Sequence, residues 1–133
     1  MNEFIFPLRI YIEDTDAMGV VYHPNYFNFF ARARSEWAEQ LGMGVKWQTA
    51  EDAYFPVHSA TIEYLKPALL HQKVEVVTTI LEARRASLVY DQYLRLAGLN
   101  GTLLCKAEIK IACVDKHLKP KALPKIFYKG DPT

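Results

Sequence analysis

The feature that most constrains this chain is a single change of hydrophobic period. Up to about residue 41 it carries one helical stripe, and from residue 54 it carries four β-type runs: YFPVHSATIEYLKP, QKVEVVTTILEA, ASLVYDQYLRLA and TLLCKAEIKIACVD. Period-two runs demand a sheet, and a stripe recurring every three or four residues demands a helix with one buried side. The stripe is Tyr26, Phe30, Ala33, Trp37 and Leu41, with Arg34, Glu36 and Gln40 mostly away from it. Pro24 suits the first helical position and Gly42 the stop. Ahead of it, FIFPLRIYI at 4–12 reads as one more strand, with Phe4, Phe6, Leu8, Ile10 and Ile12 on one face and Arg9 and Tyr11 on the other. Pro7 lacks an N–H and assigns that strand to an edge or early position.

The Asn-Gly of LNG at 99–101 and the short EARRA at 82–86 predict tight reversals, hence antiparallel neighbours. In the last run, Leu103, Cys105, Ala107, Ile109 and Ile111 are expected on the buried face, and Leu104, Lys106, Glu108 and Lys110 on the other. One strand, one helix and four strands can bury their apolar sides only on each other. The expectation is an α+β fold: a curved antiparallel five-stranded sheet wrapped around one long α-helix.

At 133 residues the chain fits a single domain over 1–133, with flexibility expected only toward the tail FYKGDPT. A formal charge of +1 gives no global attraction for nucleic acid. No run is long enough for a membrane span, and MNEFIFPLRIYIED is unlike a signal peptide, so a cytoplasmic location is expected. Cys105 and Cys113, in one strand, would stand roughly 26 Å apart at strand rise, too far for a disulfide, and read as buried thiols. No Cys-x-x-Cys occurs, and His58, His71 and His117 have no metal-ligand spacing, so no metal is expected.

The remaining puzzle is EDTDAMGVVYHPNY at 13–26, which puts three carboxylates, a glycine and a histidine into one connection. Glu13, Asp14 and Thr15 are ordinary turn residues, and Asp14 is read as a turn or cap. The run D-T-D-A-M-G-V-V-Y-H-P-N-Y, with A-R-A-R-S-E-W on the following helix, resembles the 4-hydroxybenzoyl-CoA thioesterase branch of the hot-dog superfamily, and within it the YbgC-type acyl-CoA thioesterases. That resemblance implies hydrolysis of an acyl-CoA thioester to a free carboxylic acid and coenzyme A, with no metal or organic cofactor. It places a catalytic carboxylate at Asp16, as general base or nucleophile, and an active-site histidine at His23, whose backbone N–H would face the thioester carbonyl. Gly19, Val21, Tyr22, Asn25 and Tyr64 are its implied substrate-binding residues, with Pro67 as a neighbouring wall.

An N–H at a helix start suits the charge that develops on a thioester carbonyl, and Pro24 has none to give. Asp16, beside Val20 and Val21, is expected to be buried, as would suit a base. Arg84, Arg85, Lys116, Lys119 and Lys121 are candidate contacts for coenzyme A phosphates, or simply solvated charges. The resemblance also implies a homotetramer, a dimer of dimers with the site between subunits. Ala31 departs from the family's frequent helix Glu, and Met18 from a frequent Gly. Two alternatives stand beside this reading: a non-catalytic scaffold that binds acyl-CoA or acyl-carrier protein, and a hydratase, which Ala31 disfavours.

Overall fold

The computed structural model describes residues 3–98 and 100–127. Of the expected LNG reversal, Leu99 lies outside the described residues, and of the tail FYKGDPT only Phe127 lies within them. The elements run β1 (Phe4–Arg9), α1 (Asn25–Gln40), α2 (Val45–Glu51), β2 (Val57–Tyr64), β3 (Lys73–Ala83), β4 (Ser87–Leu96) and β5 (Leu103–Ala112). The five strands form one sheet in the order β1-β3-β4-β5-β2, antiparallel at every pairing. This is the expected α+β architecture, with β1 and its Pro7 at one edge.

Helix α1 follows Pro24, whose φ of −65° already matches a helix, and stops where Gly42 turns to φ +77°. Tyr26, Phe30, Ala33 and Trp37 are buried as the stripe predicts, and Phe29 joins them. Against them lie Val74 and Val76 of β3, Leu88, Tyr90 and Leu94 of β4, and Ala107, Ile109 and Ile111 of β5, all in one core cluster. Burying each of Phe29 and Phe30, both fully enclosed, contributes about 1.5–3 kcal/mol.

A polar knot crosses this interface. Gln92, wholly buried on β4, donates from Nε2 to the Phe30 carbonyl at 3.0 Å and to Thr78 Oγ1 at 2.9 Å. Its Oε1 accepts from Arg34 Nη1 at 2.8 Å. Arg34 therefore does not point away from the sheet as its place beside the stripe suggests. Its head reaches the buried amide of Gln92 instead.

Four other expectations need correction. β1 ends at Arg9, and Ile12, in a short 3-10 turn spanning Ile12–Asp14, is exposed rather than in register with Phe4. The run 54–67 yields a strand only over Val57–Tyr64, with a register shift between Val57 and Ser59. In β5 the alternation breaks at its start: Leu104 is buried and Leu103 exposed. The cause is a bulge, since Leu94 faces Cys105 but Arg95 faces Leu103, and the extra residue switches sides. Finally, α2 has no buried residue and so no stripe to announce it.

Candidate active site

The connection from β1 to α1 is folded by its own polar groups. Asp14 is buried, and its Oδ2 accepts the Tyr11 N–H at 2.9 Å. Its carbonyl accepts the Tyr22 N–H at 3.0 Å and Asn25 Nδ2 at 2.9 Å. Asp14 thus clamps the two ends of the loop together, the turn role its sequence context gave it. Asn25, expected at the substrate, spends its amide on this clamp and accepts from Asn28 Nδ2 at 3.2 Å.

Inside the clamp, residues 16–19 reverse the chain. The Gly19 N–H donates to the Asp16 carbonyl at 3.1 Å, the Asp16 N–H to the Val20 carbonyl at 2.9 Å, and the Met18 N–H to Asp16 Oδ1 at 2.8 Å. Gly19 sits at φ +78°, a region a side chain resists, although a Cβ there would meet no atom within 4 Å. The returning arm is pinned to the segment before β3: Val21 N–H to the Ala68 carbonyl at 2.9 Å, and Leu70 N–H to the Gly19 carbonyl at 3.0 Å. Asp16 itself is exposed in the protomer, which corrects the expectation of burial. The turn faces it outward, with Oδ1 held and Oδ2 lacking a protein partner among the described residues.

His23 stands at the other end of this arm, two residues before α1. Its carbonyl accepts the Tyr26 N–H at 3.4 Å and the Tyr64 hydroxyl at 3.3 Å, while its own N–H has no acceptor among the described residues. The imidazole meets Tyr22 edge-on at 5.2 Å and Tyr64 at 6.2 Å between ring centres. Tyr64 in turn packs on Tyr26 at 5.4 Å. The Tyr26 hydroxyl accepts the Ala68 N–H at 3.0 Å, and burial pushes its phenol up, as it does that of Tyr64. Both therefore stay neutral around pH 7.

These groups border an open cleft of about 240 Å³ lined by Val21, His23, Tyr26, Tyr64, Lys66 and Pro67 among others. The structure brings Val21, Tyr22, His23 and Tyr64 together here, with Gly19 and Asp16 on the adjoining turn; no hydrogen bond joins Asp16 to His23 among the described residues. One cation, Lys66, lines the cleft, and nothing in the sequence around it marks it for that place. Its backbone, with that of Leu65, is fixed on the Leu104 carbonyl at 2.9 Å, and only this tertiary bond reveals its place. Of the cations expected at phosphates, Arg84 pairs with Glu82 at 2.6 Å, and Lys121 Nζ donates to the carbonyls of Glu51 and Asp52 at the C-terminal end of α2. Among the described residues no group of three or more His, Cys, Asp or Glu is placed to hold a metal ion, and no helix is long and apolar enough to cross a membrane.

Known proteins resemble this chain along nearly its whole length. The chain is 43% identical over 128 residues to the acyl-CoA thioester hydrolase YbgC of Escherichia coli O6:H1, covering 94% of each. It is 40% identical to the acyl-CoA thioesterase YbgC of Haemophilus influenzae, covering 93% of this chain and 90% of that one. Among solved structures, a probable thioesterase from Bartonella henselae superposes with a TM-score of 0.84 at 29% identity, over 92% of this chain and 99% of that one. A mutant 4-hydroxybenzoyl-CoA thioesterase complexed with 4-hydroxybenzoyl-CoA shares the fold, with a TM-score of 0.86 at 19% identity over 97% and 98% of the two chains. The pattern of the thioesterase-like superfamily matches residues 10–129, and this chain is a member of that superfamily, built on the hot-dog fold.

Proposed function

We propose that this protein is an acyl-CoA thioesterase, hydrolysing the thioester to a carboxylic acid and free coenzyme A, with the chemistry carried by the 16–23 arm. One observation carries the reading: a single rigid connection presents a carboxylate with a free oxygen at Asp16 and an unengaged N–H at His23, beside the start of a 16-residue helix. In this reading the His23 N–H, strengthened by the positive end of α1, stabilises the oxygen of the tetrahedral intermediate. Asp16 either takes a proton from the attacking water or attacks the acyl carbon itself. The His23 imidazole orients the thioester between Tyr22 and Tyr64. Gly19, Val21 and Asn25 shape the arm around the substrate, and Lys66 supplies a cation for coenzyme A phosphate. No step calls on a metal or an organic cofactor.

The same reading treats 1–133 as one hot-dog domain assembled as a homotetramer, a dimer of dimers. Its support is β2, an edge strand with every residue but Ile62 exposed, ending in exposed Tyr64 and followed by exposed Leu65, both of which line the cleft. A partner on that edge would close the open side of the site and remove Asp16 from water. Two buried, unpaired cysteines suit a reducing cytoplasm. The deciding experiment is release of free thiol from short, long and aromatic acyl-CoA esters by the native protein and by Asp16→Asn. Turnover on one acyl class that falls about a hundredfold or more in the variant is the expected result, the scale of losing a positioned base. Equal turnover by both proteins would remove Asp16 as the catalyst, and no turnover on any ester would leave a binding protein.

A further inference from the structure

A second, more enclosed cavity of about 250 Å³ opens on the flank of α1 toward β4 and β5. It shares no lining residue with the cleft at His23. Arg34, on its rim, lies nine residues beyond Asn25, roughly 14 Å along the helix axis. Its walls mix apolar and polar surface, with Trp37, Phe55, Tyr90 and Phe127 as the aromatic faces and Ser35 and Gln48 as neutral polar groups. Into this space comes one full charge, the guanidinium of Arg34.

The charge is poorly compensated. Of its five N–H donors, one is spent on Gln92 at 2.8 Å. None of the ion pairs among the described residues includes Arg34. Among the described residues no fully buried side-chain nitrogen lacks a partner, so the Arg34 nitrogens that make no bond keep some accessible surface, and Arg34 lines the cavity. Burial works against its charged form, and the Tyr90 ring, 6.0 Å from the guanidinium carbon, returns only part of that cost. Tyr90 is itself pushed up to about 12 by burial, so it faces Arg34 as a neutral phenol and not as a counter-ion. A half-buried cation in an aromatic-walled cavity is completed by a carboxylate, which can take two parallel N–H bonds, attached to an apolar body that fills the rest.

We propose that this cavity binds a small monocarboxylate with an apolar or aromatic body, its carboxylate on Arg34 and its body against Trp37, Phe55 and Tyr90. Ala31 supplies the control, because it lines the same cavity one turn before Arg34. A glutamate there would stand at helical i, i+3 spacing and occupy the guanidinium internally. It leaves the bond from Arg34 to Gln92 in place and so spares the fold.

The proposal does not depend on turnover and is tested by binding alone. The native chain is titrated with benzoate and hexanoate, and with the neutral benzamide and hexanamide, by calorimetry and ligand-observed NMR. The acids should bind, the amides about tenfold or more weakly, and Ala31→Glu and Arg34→Gln should each weaken the acids by a similar factor, the value of one charged hydrogen bond. Asp16→Asn should bind them like the native chain. Acids and amides binding alike, undiminished binding in both folded cavity variants, loss of binding in Asp16→Asn, or no binding to the native chain would each overturn it.

Discussion

Gln92 has both amide hydrogens and its amide oxygen bonded inside the core, which makes it a side chain through which helix and sheet are locked in register. Gln92→Leu would leave the Phe30 carbonyl and the Arg34 donor without it. The expected loss is about 3 kcal/mol in urea unfolding, the scale of stranding buried polar groups. Gly19 works differently, because its constraint is purely in the backbone: a Cβ has room but φ +78° resists it. Gly19→Ala should cost about 1–2 kcal/mol and lower kcat for thioester hydrolysis with little change in KM, since the turn it distorts carries Asp16. Wild-type kcat in that variant would show that the turn does not position the carboxylate. At this scale the sequence was readable where chemistry is local. Asp14 as a turn residue follows from its type, and the exposure of Asp16 is set by its own tight turn, whereas the inward turn of Arg34 and the place of Lys66 depend on partners far away in the chain.

Among the elements, α1 is tied to the segment joining β2 to β3 by the Ala68 N–H, which donates to the Tyr26 hydroxyl. Tyr26→Phe should cost about 1–2 kcal/mol, the price of leaving a buried N–H unmatched, and amide exchange at Ala68 should quicken more than exchange in β4. Unchanged protection at Ala68 would place the tie elsewhere. The helix and the strands were legible because each carries its period over several residues. What failed is instructive: α2 is short and wholly unburied, so it has no stripe, and the bulge at the start of β5 exchanges Leu103 for Leu104 without any Gly or Pro to mark it. Strand order was not legible either, since β2 passes over its sequence neighbour β3 to pair with β5.

For the molecule as a whole, burial of titrating groups sets an upper pH limit. Cys105 rises from an ordinary 9.0 to about 12 and Tyr90 from 10.0 to about 12, both through burial. Above pH 9.0 the unfolded chain releases protons that the folded chain retains, so this stability is complete below the unfolded values and is lost as pH climbs toward about 12. Urea midpoints should be flat in this respect up to pH 9 and then fall, and Cys105→Ala should lessen the slope. The strand order has a consequence in time as well as in space. Among the described residues, β2 pairs with β5 alone, and β5 follows the other four strands in sequence. Tyr64 and Lys66, which wall the His23 cleft, therefore have no template until residues 103–112 have been made. During synthesis the arm bearing Asp16 emerges before that template, so the cleft at His23 is complete only once residues 103–112 have been made.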